Sequence, residues 1–337
     1  MSRLFTVIIA NLFLYIFISL SYAYEGVFNE RKRVINKTLD QIELSLEYIF
    51  AAQGRQTFEV VDSQERRISR LEYPHRGGIL IFKGEVGFWS KFSLDGRFGS
   101  SFFKKRTAID QDWLPPIEDV WLESESRCKP VVEFYDFNLY FRLLELNEDK
   151  IRQIRLSSEE STIFDYLMVD SLSFDIFAGY QQQKGRYPMT EGVTTISWWV
   201  PVYSPFSGLD SFYKIRYKGP RLGLRAEGSK GKVTTRVSLA YSWLRTKAYG
   251  WWNLRDYSFW QSGTRGYGID IGLEVTYALT PSFSAGLGFN YFYLRQRKLK
   301  ETGVFYSNPA NNYNDLDIIR NANCKIYGPS FILKYNW

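Results

Sequence analysis

Tyr327-Gly328-Pro329-Ser330-Phe331-Ile332-Leu333-Lys334-Tyr335-Asn336-Trp337 is the stretch that decides the fold. Tyr327, Phe331, Leu333, Tyr335 and Trp337 share one parity; Gly328, Ser330, Lys334 and Asn336 share the other, with Ile332 the one apolar exception. Successive side chains of a strand point to opposite faces, so this strand has one apolar, aromatic face and one mostly polar face. A soluble sheet seldom carries so many aromatics to the end of its last strand. A transmembrane barrel needs them: apolar side chains toward lipid, polar ones toward the lumen, aromatics at the interface.

The same alternation recurs just upstream. Tyr267, Ile269, Ile271, Leu273, Val275, Tyr277 and Leu279 alternate with Gly268, Asp270, Gly272, Glu274 and Thr276. After the turn Thr280-Pro281-Ser282, Phe283, Ala285, Leu287, Phe289, Tyr291 and Tyr293 alternate with Ser284, Gly286, Gly288 and Asn290. Asp270 and Glu274 stand where a β-sandwich core would need apolar residues and suit a polar lumen. The alternative is a soluble sandwich with one wet face. Aromatics at 18% exceed ordinary soluble usage and support interfacial girdles. The formal charge of +7 could suggest nucleic acid, but an exported barrel meets anionic lipid headgroups first, so no nucleic-acid partner is expected.

The amino terminus fits export. Arg3 precedes an apolar run from Leu4 to Leu20, and Ser21-Tyr22-Ala23 is a small-x-small cleavage site. Residues 1–23 therefore read as a signal peptide, with an uncleaved anchor as the alternative, and residues 24–41 as a charged periplasmic tail. Residues 42–337 make one barrel domain. Short breaks fall near Lys91–Ser93, Leu146–Lys150, Glu227–Gly231 and Thr280–Ser282. Long ones fall near Ala52–Arg67, Phe103–Pro130, Gln181–Ser211, Lys247–Arg265 and Arg297–Asn323. Four short and five long breaks imply ten antiparallel strands, with the short turns periplasmic and the long loops outside. Gly228-Ser229-Lys230-Gly231-Lys232 lacks the spacing of a phosphate loop and reads as one of the short turns.

Several segments, in order, resemble the omptins, ten-stranded outer-membrane proteases. Ala108-Ile109-Asp110-Gln111-Asp112-Trp113 is similar to their V-D-Q-D-W segment, and Glu125-Ser126-Arg127 follows it as in the family. Arg67 to Tyr73, Gly179-Tyr180-Gln181, Tyr213 to Lys218 and Leu279-Thr280-Pro281 match further family runs. The resemblance covers residues 42 to 337 and implies a bacterial outer-membrane barrel with loops facing the exterior. It also implies that Asp110 and Asp112 form the carboxylate half of a site in which an Asp-x-His couple on the opposite wall activates water. Without the resemblance, the two read as solvated loop acids.

That second half is missing. Tyr241-Ser242-Trp243 aligns with the family strand, but Leu244 to Arg255 contains no aspartate, glutamate or histidine. His75, the single histidine, is expected roughly 10–15 Å below Asp112, too far to share one water, and reads as an interior residue. Glu59 is the candidate survivor of the family's pocket for a basic side chain. Trp251 and Trp252 head an aromatic segment that either extends the girdle or forms a platform for a protein, peptide or glycan. By the resemblance, Tyr180, Arg186 and Arg216 fall near a lipopolysaccharide site, and lipopolysaccharide is the one accessory molecule implied, with no cofactor and no metal. Cys128 and Cys324 either form a disulfide clamping a loop to the barrel or stay free. The resulting expectation is an omptin-like barrel with a degenerate protease site that binds or adheres through its extracellular cleft. The alternative is an active endopeptidase with a rearranged base. A diffusion pore is disfavoured because small barrels fill their lumen with side chains.

Overall fold

The computed structural model describes residues 39–115, 117, 119–151, 169–308, 310, 312–314 and 319–337. The expected signal segment and nearly all of the expected tail lie outside these. The strands are β1 Leu39–Val61, β2 Arg67–Phe88, β3 Phe92–Phe103, β4 Arg106–Trp113, β5 Val120–Cys128, β6 Val131–Leu146 and β7 Ser171–Ser197. They continue with β8 Val200–Lys230, β9 Val233–Trp252, β10 Tyr257–Ala278, β11 Phe283–Gln296, β12 Lys300–Phe305, β13 Tyr313–Asn314 and β14 Ile319–Asn336. β1 begins at Leu39 rather than Ile42.

All pairings are antiparallel, and β14 pairs with β1 along its length, which closes the sheet. The closed ring runs β1, β2, β3, β6, β7, β8, β9, β10, β11, β14: ten strands, as the breaks imply. β4 carries β3 upward past a break at 104–105, and β5 meets β6 across 129–130, so this pair continues the wall above the ring between β2 and β7. β12 likewise takes the place of β11 beside the upper part of β10. No helix of the described residues is long enough to span a bilayer, and the strands make the crossing.

Most of the expected long breaks are strand. β7 and β8 pair from Ser171↔Ser229 up to Ser197↔Val200, leaving only Trp198 and Trp199 in the turn. Hydrogen bonding between neighbours keeps the wall extended well above the membrane. In the other direction, the connection expected at Leu146–Lys150 is longer, because β7 starts only at Ser171.

The outer face of the ring is apolar, with exposed Leu222, Leu224, Val237, Leu239, Leu273 and Leu333. Tyr180, Tyr241, Trp243, Tyr267, Tyr291 and Tyr327 form its upper girdle. Inside this band the lumen is filled with paired charges. Arg97 bonds Asp136, and Arg97 and Arg221 both reach Asp270, at 2.7 and 3.1 Å. Arg225 joins Asp175 to Glu85 at 2.8 and 2.7 Å, and Lys334 holds Glu274 at 2.6 Å. Asp270 and Glu274 are thus lumenal. Side chains from β3, β6, β8 and β10 meet across the interior, which fits a filled barrel and not an open pore.

Candidate extracellular site

Above the girdle the interior changes character. Tyr73, Tyr187 and Tyr213 are fully buried and stack with Phe58 and Phe259, the closest rings being Tyr73 and Tyr187 at 4.6 Å. The candidate site lies on the wall beside this stack. Ala108 of β4 points in and is buried, so Asp110 and Asp112, two and four residues on, share its face. Leu71 and Ser69 of β2 lie opposite them in the ladder.

Burial pushes the Asp110 carboxyl up to about 7; the Asp112 charge adds to this, and the charge of Arg255 opposes it. Asp112 is also raised by burial, while a hydrogen bond from Ser69 and the charge of Arg255 hold it down. Arg255 belongs to the 3-10 turn Asn253–Arg255 at the end of β9 and lies over the Trp252 ring at 5.0 Å. Asn253 anchors that turn. Its side-chain oxygen accepts from the Asp210 amide and the Ser211 hydroxyl at 2.8 and 2.9 Å, and its side-chain nitrogen donates to the Gly208 carbonyl. The arrangement is two acids on one strand face, within electrostatic reach of a guanidinium on the neighbouring turn. It can keep a proton on Asp110 near neutral pH, but it places no imidazole beside the acids.

His75 is elsewhere. Along β2 it stands four residues from Leu71, the partner of Asp110, or about 13 Å at strand spacing. Tyr73 lies between. The ring stacks on Phe103 at 4.9 Å, and Nε2 lies 3.3 Å from the Tyr187 hydroxyl. Burial lowers its pKa to about 3, a backbone contact with Lys325 opposing this only in part. It is therefore a neutral core residue.

The structure moves several other sequence candidates. Glu59 does not face the aspartates: Phe58 points into the core, so Glu59 points out, where Arg67 donates to it at 2.7 Å. Trp251 and Trp252 form no joint platform, because they end β9 as consecutive strand residues with opposite directions. Trp252 packs inward on Phe259 at 5.2 Å, and Trp251 meets Tyr306 at 5.8 Å. Cys128 and Cys324 are free, buried thiols, not a disulfide. Both point into the aromatic interior around Tyr187, where Gln183 donates to the Cys324 sulfur at 3.0 Å and burial pushes both thiols up to about 12.

Arg186 and Arg216 do come together, in a groove on the outer wall above the girdle that also takes in Lys184, Lys214 and Lys247. Tyr180 stands lower on the same wall, exposed in the girdle, and does not line the groove. Among the described residues no group of three or more His, Cys, Asp or Glu is placed to hold a metal.

One surface was not singled out in the sequence. The β7–β8 hairpin ends in Trp198 and Trp199, both with positive φ (51° and 62°), where such a turn favours Asn-Gly. No charged residue occurs between Glu191 and Asp210. Trp198 is 65% and Tyr203 80% exposed, and Trp121 packs on Trp198 at 5.2 Å. The edge of β8 from Val200 to Leu209 pairs with β7 but not with β9, whose first partner is Phe212. Pro201 and Pro205 remove two amides from that edge and blunt it against further strand pairing. The signal was the run Trp198-Trp199-Val200-Pro201-Val202-Tyr203, too apolar for a solvated loop.

Comparison with known proteins fits this geometry. The model of a family of Protochlamydia outer membrane proteins (Pom) matches residues 165–321, short of half the chain. The outer membrane protease OmpT from Escherichia coli superimposes with a TM-score of 0.72 at 14% identity, covering 88% of this chain and 97% of that one. The translocator domain of the autotransporter NalP from Neisseria meningitidis (8% identity, 94% and 97% covered, TM-score 0.31) is distant. So is a Pseudomonas aeruginosa FadL homologue (9%, 88% and 90% covered, TM-score 0.27). No curated protein matches in sequence. The chain is an omptin-like β-barrel of the bacterial outer membrane.

Proposed function

We propose that this barrel is an exported surface-binding protein whose extracellular end captures a protein, peptide or glycan, and that its omptin-type protease site is degenerate. One observation carries the reading: the single histidine, His75, is packed in the core four strand positions from Leu71, the partner of Asp110, so no imidazole stands beside Asp110 and Asp112, and the one charged group of the neighbouring turn, Arg255, is a guanidinium. A guanidinium stays protonated and cannot take a proton from water. The uncharged, strained hairpin tip supplies the binding surface. Backbone strain of this kind persists where function or surrounding structure maintains it, and two exposed tryptophans suit the centre of an interface. Residues 1–23 direct export in this reading, and residues 24–41 lead into the first strand. No cofactor is needed. The basic groove around Arg186 and Arg216, with Tyr180 beneath it, holds lipopolysaccharide phosphates, since guanidinium groups suit bidentate phosphate contacts.

A second reading is favoured by one feature. A carboxyl near 7 could shuttle a proton at neutral pH, so Asp110 with Asp112 could serve a rearranged endopeptidase. The test runs both arms on the refolded barrel in lipopolysaccharide. Binding to host-type cell surfaces should weaken by about tenfold or more in Trp198→Ala with Trp199→Ala. A peptide library should stay intact. Cleavage by the native protein that disappears in Asp110→Asn with Asp112→Asn would overturn the proposal in favour of the second reading.

A further inference from the structure

A second cationic notch lies on the far side of the ring from the groove at Arg186, and the structure assigns it to a phosphate carried by a lipid of the outer leaflet. Arg55, Arg76, Arg106 and Lys325, from β1, β2, β4 and β14, line this notch. This assignment does not depend on the proposed function: it concerns how the barrel sits in its own membrane.

The notch begins with two irregular glycines. Gly54 has a φ of +149°, and a Cβ there would lie 1.8 Å from the Lys325 carbonyl oxygen; Gly77 has a φ of +156°. The registers of β1 with both neighbours shift just before Gly54, after Ile49. Such bulges bend a strand and re-aim its side chains. The result is an indentation of the outer wall floored by Pro74 and the buried His75.

Charge in the notch is unbalanced. Glu72 is its one carboxylate, and it is already shared by Arg55 at 3.2 Å and Arg70 at 2.5 Å. Arg76 and Arg106 are exposed and have no carboxylate partner among the described residues. Arg55 and Lys325 are direct cross-strand partners, and like charges so placed destabilise a sheet. A dianion between them would remove that repulsion.

The height of the notch selects the source of the anion. Lys325 lies over the rings of Tyr327 and Tyr291, at 5.0 and 5.4 Å, so its ammonium sits directly on the aromatic girdle. Exposed Tyr48, Phe50, Phe102 and Phe331 continue downward into the lipid-facing band. Cations immediately above such a girdle stand at headgroup level. A phosphate tethered to acyl chains can satisfy both surfaces at once, whereas free phosphate meets only the upper one.

The test counts lipids retained by the full barrel in native mass spectrometry. The background is Arg186→Gln with Arg216→Gln, which silences the other groove. Bisphosphorylated lipid A should still be retained there, and its dephosphorylated form should be held on the order of tenfold less tightly. Adding Arg76→Gln and Arg106→Gln, both exposed positions, should remove the remaining retention. Lys325→Gln alone offers the same readout should the fourfold variant fail to refold. Equal retention of the two lipids, or retention indifferent to the notch substitutions, would overturn the assignment. Failure of the other groove would show separately, as no loss on going from the native barrel to the background variant.

Discussion

The lumen below the girdle and the lumen above it differ in what dominates their filling. Below, Arg236, Arg225, Arg221 and Lys334 are each 10% exposed or less and sit among carboxylates. Above, Tyr73, Tyr187, Tyr213 and Phe259 stack as they would in a soluble core. β9 shows the change within one strand. Val237, Leu239, Tyr241 and Trp243 point outward, followed in the same parity by Arg245 and Lys247. The inward set is Arg236, Ala240 and Ser242, then Leu244, Thr246 and Ala248. Where the outside is lipid, charged pairs dominate the inside; where the outside is water, stacked aromatic rings dominate it, with Gln261 and the buried pair Arg320–Glu301 beside them. The character of the filling changes at the girdle while antiparallel pairing carries on above it.

The two fillings should differ in how they fail, and the largest effect belongs to the lower one. Arg225 is 4% exposed and holds Asp175 and Glu85 together, with Tyr140 beneath its guanidinium. Arg225→Ala leaves two buried carboxylates without their shared cation, a loss of about 3–5 kcal/mol. It should appear as a large fall in the urea midpoint of the refolded barrel. A fall worth under about 1 kcal/mol would mean that water enters the lattice freely and the contrast between the regions is weaker than the contacts suggest.

In the upper region a polar atom should matter much less than the ring that carries it. Tyr213 donates to the Gln261 side-chain oxygen at 3.0 Å and touches Phe58, Tyr73, Tyr187 and Phe259. Tyr213→Phe keeps the stack and loses one hydrogen bond, about 1 kcal/mol by the same urea assay. A loss near that of Arg225→Ala would mean that the hydroxyl is coupled to the Gln261–Glu301–Arg320 network as tightly as Arg225 is to its carboxylates.

This change of filling also explains what the sequence made legible. Tyr267–Leu279 and Phe283–Tyr293 lie in the lipid band, where apolar-out alternation is unbroken, and they identify the barrel directly, while the count of breaks supplies the strand number. Above the girdle the signal reverses phase. Residues 104–107 are all exposed around the break at 104–105, and buried Ala108 follows only after it, so Phe103–Pro130 reads as a polar break although it is a hairpin of the wall. Of the candidate site, strand parity puts Asp110 and Asp112 on one face, but only the resemblance set them apart from solvated loop acids. Arg255 did not, because nothing local ties a turn after β9 to carboxylates on β4. Glu59 and the Trp251–Trp252 pair were misplaced for one reason: segments treated as loops turned out to be strands, in which neighbours must diverge. The two cysteines sit at the expected outer end, but facing an aromatic interior instead of each other.

A difference in pH dependence sharpens the comparison within the upper region, where two strongly shifted groups, Asp110 and His75, pull in opposite directions. Asp110 titrates near 7 in the folded protein, against about 4 in the unfolded chain. Between those values the folded state keeps a proton that the unfolded state has lost, so this group's contribution to stability falls as pH rises. His75 titrates near 3 when folded, against about 6.5 unfolded. Below about 6.5 the unfolded chain gains a proton that the folded one refuses, so this group's contribution falls as pH drops, down to about 3. The two slopes overlap between about pH 4 and 6.5 and oppose each other, leaving the native profile shallow there relative to either variant. Asp110→Asn removes the first slope, so its urea midpoint should drop more steeply on acidification than that of the native barrel. His75→Phe removes the second and should tilt the profile the other way, with stability declining toward neutral pH. All other titrating groups are common to the three proteins, so the differences isolate these two side chains. Profiles that stay parallel across the window would mean that neither group is shielded from water as its surroundings imply, and that the upper lumen is as wet as its mouth.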